Sequence, residues 1–284
     1  MRQLLALFCL ILLSVAASGQ QNEKFKLIDQ ASVRAYYLLS KSKAGEVKPY
    51  RTDTMVLESG AVASRFYNPA RLLRDSLLGS RMKSTDPSAI KSITVFKAES
   101  NKSLAGLPGA VISNAAEGES YQIIKDRAAN KITVIDYVSA IGDKFQYEDQ
   151  LGSLPWKVSN ETDTVASYQC QKATLTFRGR EYTAWFTEDI PVHDGPWKFS
   201  GLPGLILKIE DTKGLFSFRL IGLNQLSNPA PIGFDDSKNI KCTRAEFAKQ
   251  KTKQGAGMQI SLNNGAMIIA EMSGKLEYTP MELE

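Results

Sequence analysis

Histidine occurs once in this chain of 284 residues, at His193, and that scarcity removes much of metal and acid–base chemistry before any motif is sought. An imidazole-based metal site needs further ligands, and a serine or cysteine nucleophile needs a histidine base, for which His193 is the sole choice. Cysteine is almost as rare: of three, Cys9 falls in the first apolar run, which leaves Cys170 and Cys242. Two thiols without neighbouring ligands do not make a zinc site. An oxidising compartment permits a bridge between Cys170 and Cys242, but one pair is not a disulfide framework for a domain of this size. A phosphate-binding glycine loop, a dinucleotide fingerprint and a G-x-S-x-G turn are absent as well. Beyond residue 16 no apolar run is long enough to cross a bilayer, so an integral membrane protein is not expected. The net charge of +5 is small and dispersed, which argues against a nucleic-acid surface.

What the chain does have is an ordinary globular balance, 43% hydrophobic and 23% charged, enough for a sizeable core. Arg2, an apolar stretch over residues 4–16 and the small residues Ala16, Ala17, Ser18 and Gly19 read as a secretory signal peptide, residues 1–19, cleaved between 17 and 21. Phe8 before Cys9 disfavours lipidation, which needs a small residue there. Residues 20–284 then form a single β-rich domain in an exported protein, with a tail over 273–284 expected to fray.

Apolar runs rich in β-branched and aromatic residues predict strands at 33–39, 92–97, 121–125, 131–138 and 145–151, and a hairpin over 54–66 turning at Ser59-Gly60. Asn68-Pro69 supplies a cap and a first-turn proline for a short helix ending at Gly79. Thr243 and Glu246 have capping-box spacing, so a second, weakly amphipathic surface helix is expected over 243–253. Residues 159–162 read as a polar turn, 224–236 as a loop and 267–272 as an edge strand. A Gly-Leu-Pro-Gly run at 106–109 echoes a later one, but its flanks differ and it reads as chance reuse of a turn.

The densest block runs from Tyr168 to Asp211. A long strand over 165–177 and its return over 181–187 are joined by a reversal at Gly179. Gly195 and Pro196 lead through Trp197-Lys198-Phe199 to Gly201-Leu202-Pro203-Gly204-Leu205-Ile206. Pro203 and Gly204 fit the middle of a type II turn, with Gly204 at positive φ. Leu205, Leu207 and Ile209 then alternate with Ile206, Lys208 and Glu210, which predicts a strand with the first set facing the core.

Tyr168-Gln169-Cys170-Gln171-Lys172-Ala173, Phe177-Arg178-Gly179-Arg180, Ala184-Trp185-Phe186-Thr187, Gly195 to Phe199 and Gly201 to Ile206 together resemble, in this order, the pattern of the GLPGLI family of exported bacterial proteins. The resemblance is densest over residues 162–211 and extends thinly over most of the chain. It implies export into a Gram-negative envelope, periplasmic or beyond, and a mainly β fold. By looser analogy that fold is a curved antiparallel sheet or half-barrel with two peripheral helices. The family carries no activity or cofactor to transfer.

Three functional readings follow. The first is a non-enzymatic carrier or binding protein for a lipid or peptide, or for an outer-membrane protein partner. Its binding residues would be Trp185, Trp197 and Phe199 with Arg178 and Arg180 on a basic rim. The second is an envelope hydrolase or metal-dependent enzyme using His193 and the carboxylates of Glu188, Asp189 and Asp194, although no catalytic residue or metal ligand is assigned. The third is an assembly factor without a small ligand. A large apolar cavity would favour the first and a cleft with converging carboxylates the second, while a closed core with neither favours the third.

Overall fold

The computed structural model describes residues 25–46, 48–84, 88, 90–98, 118–137, 144–235, 238–252, 258–263, 266–272 and 280–283. The expected signal peptide, the 106–109 turn and residues 273–279 and 284 of the expected frayed tail lie outside them. The larger sheet contains β1 (Phe25–Lys41), β2 (Arg51–Gly60), β3 (Ala63–Tyr67), β5 (Gln122–Asp126), β6 (Lys131–Tyr137), β7 (Lys144–Gln150), β8 (Lys157–Val165), β9 (Tyr168–Phe177), β10 (Arg180–Thr187), β11 (Leu205–Asp211), β12 (Phe216–Asp235) and β13 (Ile240–Lys241). Its order is β13-β7-β6-β5-β3-β2-β1-β12-β11-β10-β9-β8. All neighbours are antiparallel except β13 and β7. A second sheet of β4 (Ser92–Ala98), β14 (Met258–Asn263) and β15 (Ala266–Met272) has β15 in its centre, so the stretch expected as an edge strand is paired on both sides.

The fold is therefore mostly β, with one open twelve-stranded sheet that does not close by hydrogen bonding and with two helices among the described residues. The sheet bends until its ends meet through side chains: Arg178, on the β9–β10 turn, reaches Asp149 of β7 at 3.5 Å. Tyr37, Phe66, Ile123, Val134, Tyr147, Leu175, Tyr182 and Phe218 pack into the core on the inner face. The outer face of β3, β5 and β6 is covered too. There β1 and β12, kinked by register shifts at Leu27/Asp29 and Ala31/Val33, lay Ala31, Ile232 and Phe234 over Ala63, Ile124 and Ile135. Burial on both faces explains why β5 and β6 read as continuous apolar runs rather than alternating ones.

Residues 224–235 belong to a strand and not to the expected loop. Their ladder partners come from β1, while β11 pairs only with residues 217–219, so among the described residues the far side of β12 has no ladder partner there. An edge of that kind tolerates Pro229 and Pro231, whose missing N–H groups would break a central strand. Likewise 157–165 is a strand despite its polar composition. The long strand expected over 165–177 is split by Ala166 and Ser167, both at positive φ, into β8 and β9.

Helix α1 (Pro69–Ser84) starts as expected, the Asn68 Oδ1 accepting the Arg71 N–H at 3.0 Å, and continues through Gly79 instead of ending there. In α2 (Arg244–Thr252) the capping box forms: Thr243 Oγ1 accepts from Glu246 N–H at 3.2 Å and Glu246 Oε2 accepts from Thr243 N–H at 2.7 Å. This helix is more than a surface element, because Phe247 is buried against Tyr147, ring centroids 5.4 Å apart, and Lys251 pairs with Asp136 at 2.9 Å.

Glu119, just before β5, pairs with Lys41 at 2.6 Å and Arg51 at 3.3 Å and so ties β5 to the ends of β1 and β2. Burial pushes its carboxyl up, but the two cations outweigh burial and hold it below its ordinary value of 4.5. A depressed folded value means that ionised Glu119 stabilises the fold above pH 4.5, and that this contribution is lost as pH falls through the depressed value. Glu119→Gln should therefore cost about 2–3 kcal/mol at neutral pH. Thermal unfolding over a pH series should show the gap to the unsubstituted chain closing below that point; a gap independent of pH would remove the charge from the explanation.

Candidate functional site

The segment 188–204 between β10 and β11 turns into the concave face, and a buried ion pair fixes it there. In β5, Lys125 shares a face with Ile123 and points into the main core. It pairs with Asp194, and the side chains are 1% and 0% exposed. Lys125 Nζ also donates to the carbonyls of Gly195 at 2.7 Å and Phe199 at 3.0 Å, so all three ammonium protons have acceptors. Asp194 accepts from the Gly195 N–H at 2.8 Å and from Arg127 at 3.1 Å. Burial lowers the Lys125 ammonium below its ordinary value, and Asp194 opposes that shift. The Tyr37 hydroxyl donates to the Ile206 carbonyl at 2.7 Å, and burial followed by the charge of Asp194 raises it well above the ordinary phenol.

The Gly201–Ile206 run joins this network rather than forming a ligand loop. The expected type II turn would send the Leu205 N–H to the Leu202 carbonyl. Instead, that carbonyl takes the Gly204 N–H at 2.8 Å, a tighter turn centred on Pro203, and the Leu205 N–H goes to Ile190 at 3.1 Å. Gly204 does lie at positive φ, 140°, and any Cβ there would overlap the Thr187 carbonyl at the end of β10. Gly195 is needed for a related reason, since its Cβ would meet the Ile206 side chain. Ile206 is itself fully buried, contrary to the alternation expected. The register of β10 with β11 slips between Trp185/Lys208 and Phe186/Ile206, and the extra residue, Leu207, lets neighbouring side chains both be buried.

Of the expected binding residues, Trp197 and Phe199 lie inside, 5% and 0% exposed. Phe199 packs edge-on to Tyr182 with ring centroids at 4.8 Å, and next to Trp197 at 5.1 Å. They are core residues and line no open groove. Trp185 is set apart, half-buried on β10 in register with Lys172 of β9 and Lys208 of β11. Arg178 and Arg180, expected on a basic rim, lie against residues 280–283 of the chain itself, and Arg180 is buried there. Arg180 donates to the Pro280 carbonyl at 2.7 Å, Tyr182 Oη to that of Met281 at 2.9 Å, and the Leu283 N–H to the Arg178 carbonyl at 2.9 Å. Met281 is buried, and Glu282 meets Lys198 at 2.6 Å and Arg244 at 3.8 Å. Residues 280–283 are thus docked, where fraying was expected.

His193 is exposed, while Asp194 beside it turns inward to Lys125. Among the described residues no three metal-capable side chains converge, and the cleft lined by Glu119, Asn68, Arg71 and Tyr121 has a volume of about 10 Å³, room for one water. The permitted bridge is not formed: Cys170 and Cys242 are free thiols, one on β9 and the other just after β13, near opposite ends of the sheet order. Burial raises the Cys170 thiol, which makes it a poor nucleophile. The sequence does not single out Lys125, Lys198 or Glu282, and it pairs Asp194 with His193 instead of Lys125. The available signal was a lysine inside the apolar run Gln122–Asp126 and an acid–Gly–Pro–Trp–Lys island.

Residues 176–208 match a family described as a protein of unknown function (Porph_ging). The GLPGLI resemblance is compatible with that match. No curated protein matches the chain. Among solved structures, two of PNGF-II, in space groups P21 and C2, are similar at 13% and 14% identity, with TM-scores of 0.49 and 0.48. Each likeness covers 82% of this chain but 35% of the other, so the chain spans about a third of the length of those proteins. No helix among the described residues is long and apolar enough to cross a membrane.

The two glycines of the run separate cleanly in experiment. Gly201 also has positive φ, 89°, but open space where its Cβ would be. Gly201→Ala should cost about 1–2 kcal/mol, the ordinary left-handed penalty, whereas Gly204→Ala should cost roughly 3–5 kcal/mol because of its added overlap with Thr187. Equal losses in urea unfolding would show that backbone approach at Thr187 is not the constraint.

Proposed function

We propose that this chain is a non-enzymatic binding protein of the bacterial envelope that works by docking a protein partner, and that its concave sheet carries no apolar cargo. The observation that carries this reading is the filled interior: Trp197, Lys198 and Phe199, the residues nearest the motif, are each at most 5% exposed and lock into the core beside the Lys125–Asp194 pair. A carrier needs a cavity of several hundred cubic ångströms lined by apolar side chains. Here the corresponding volume is occupied by the chain's own aromatics.

The enzymatic alternative draws no support from the geometry. His193 points away from the buried carboxylate next to it in sequence, and Asp194 is committed to Lys125, Arg127 and the Gly195 N–H. Export through the inner membrane, suggested by residues 1–19, would put the docking surface in the periplasm or at the outer membrane.

Native mass spectrometry of the gently purified chain tests the reading. The expected spectrum is the bare polypeptide without co-purifying lipid. A stoichiometric lipid adduct that survives detergent-free exchange would restore the carrier hypothesis.

A further inference from the structure

The basic rim at the β9–β10 turn is a built recognition site with an occupant. Four cations, Arg178, Arg180, Lys198 and Arg244, converge on two carboxylates of the sheet, Asp149 and Asp211. The arrangement accepts one more negative group, and Glu282 supplies it. Next to it, the Tyr182 hydroxyl and the Arg180 guanidinium donate to main-chain carbonyls, and the Arg178 carbonyl accepts a main-chain N–H. Main-chain contacts of this kind read the path of the backbone, not its sequence. The Met281 side chain and the Glu282 carboxylate add the sequence-selective part.

We propose that this groove recognises a short peptide of the pattern proline, apolar, acidic, apolar on a protein partner, bent at its apolar residue as the chain is at Met281, and that residues 280–283 are a competitor held in the same chain. The proposal rests on the reading above that the chain works by docking a partner, and it supplies the chemistry of that partner. Charge complementarity selects the occupant. Lys198 is 1% exposed and already spends two donors, on Asp149 at 2.8 Å and on the Tyr147 hydroxyl at 3.3 Å, so an uncharged peptide would leave the third proton of a buried ammonium without an acceptor. Tethering gives the resident segment an effective concentration of about a millimolar or more, so a partner peptide competes at a disadvantage until that segment is displaced.

The probe is a fluorescein-labelled peptide, Thr-Pro-Met-Glu-Leu-Glu, matching positions 279–284, titrated against the full chain and followed by anisotropy. Glu282→Ala, which weakens the resident segment and leaves the groove intact, should bind the probe about tenfold or more tighter than the unsubstituted chain. Met281→Ala is a second route to the same gain if the first variant unfolds, which circular dichroism would show. Adding Arg180→Ala, or replacing by lysine the first of the probe's two glutamates, the one matching Glu282, should abolish the gain. Failure of both variants to gain affinity overturns the proposal, as does binding that ignores the lysine probe. Dimerisation of either variant through exchanged 280–283 segments would overturn it in favour of a second copy as occupant. Loss of the peptide signal with a cargo-free native mass spectrum would sink this inference alone and leave the docking function standing.

Discussion

Everything near the motif depends on one buried ion pair. Lys125 lies on β5 and Asp194 in the loop between β10 and β11, far apart in the chain, and neither could enter an apolar core singly, because an isolated buried charge costs several kcal/mol even after relaxation. Paired, and with the Gly195 and Phe199 carbonyls and Arg127 completing their hydrogen bonds, they fasten segment 188–204 to β5. Such pairs specify more than they stabilise. The same space filled by well-packed apolar side chains could be equally stable, but it would not fix where Gly195 meets Ile206 or where Gly204 passes Thr187.

From that anchor the functional surface follows. Trp197 stands at positive φ, 53°, an uncommon conformation for so bulky a residue, held by the packing of Phe177 and Phe199 around it. Lys198 is thereby aimed at Asp149 and Glu282, and Phe199 at Tyr182. The inner face is filled by this loop, and at its edge cations from three elements surround residues 280–283. A sheet whose shape suggests a container therefore presents its specificity at the rim.

Much of this was legible in the sequence. The central hairpin, the helix caps at Asn68 and Thr243, and the positive φ of Gly204 all follow from local rules that depend on a few neighbouring residues, whereas the approach of Gly204 to Thr187 does not. Errors arose where a distant partner decided the outcome. Residues 224–235 resemble a loop until β1 supplies their ladder, and Ile206 faces inward because β11 carries a bulge that no alternation pattern reveals. Arg178 and Arg180 read as a basic rim in the sequence, and the structure sets them against residues 280–283. That contact could not be foreseen, since residues 280–283 lie about a hundred positions away and so short a stretch, opened by a proline, looks like a fraying end. Trp197 and Phe199 resemble groove residues in the sequence for the opposite reason: composition gives aromaticity but not the direction in which a loop folds.

A double-substitution cycle on the ion pair, read by urea unfolding, tests this account most directly. Lys125→Met and Asp194→Leu should each destabilise by about 3–5 kcal/mol, since each leaves the other charge buried without its partner. The double substitution should cost less than the two losses together by at least roughly 2 kcal/mol, the signature of direct coupling. Losses that simply add would contradict the account, because segment 188–204 would then be held by something other than the Lys125–Asp194 pair.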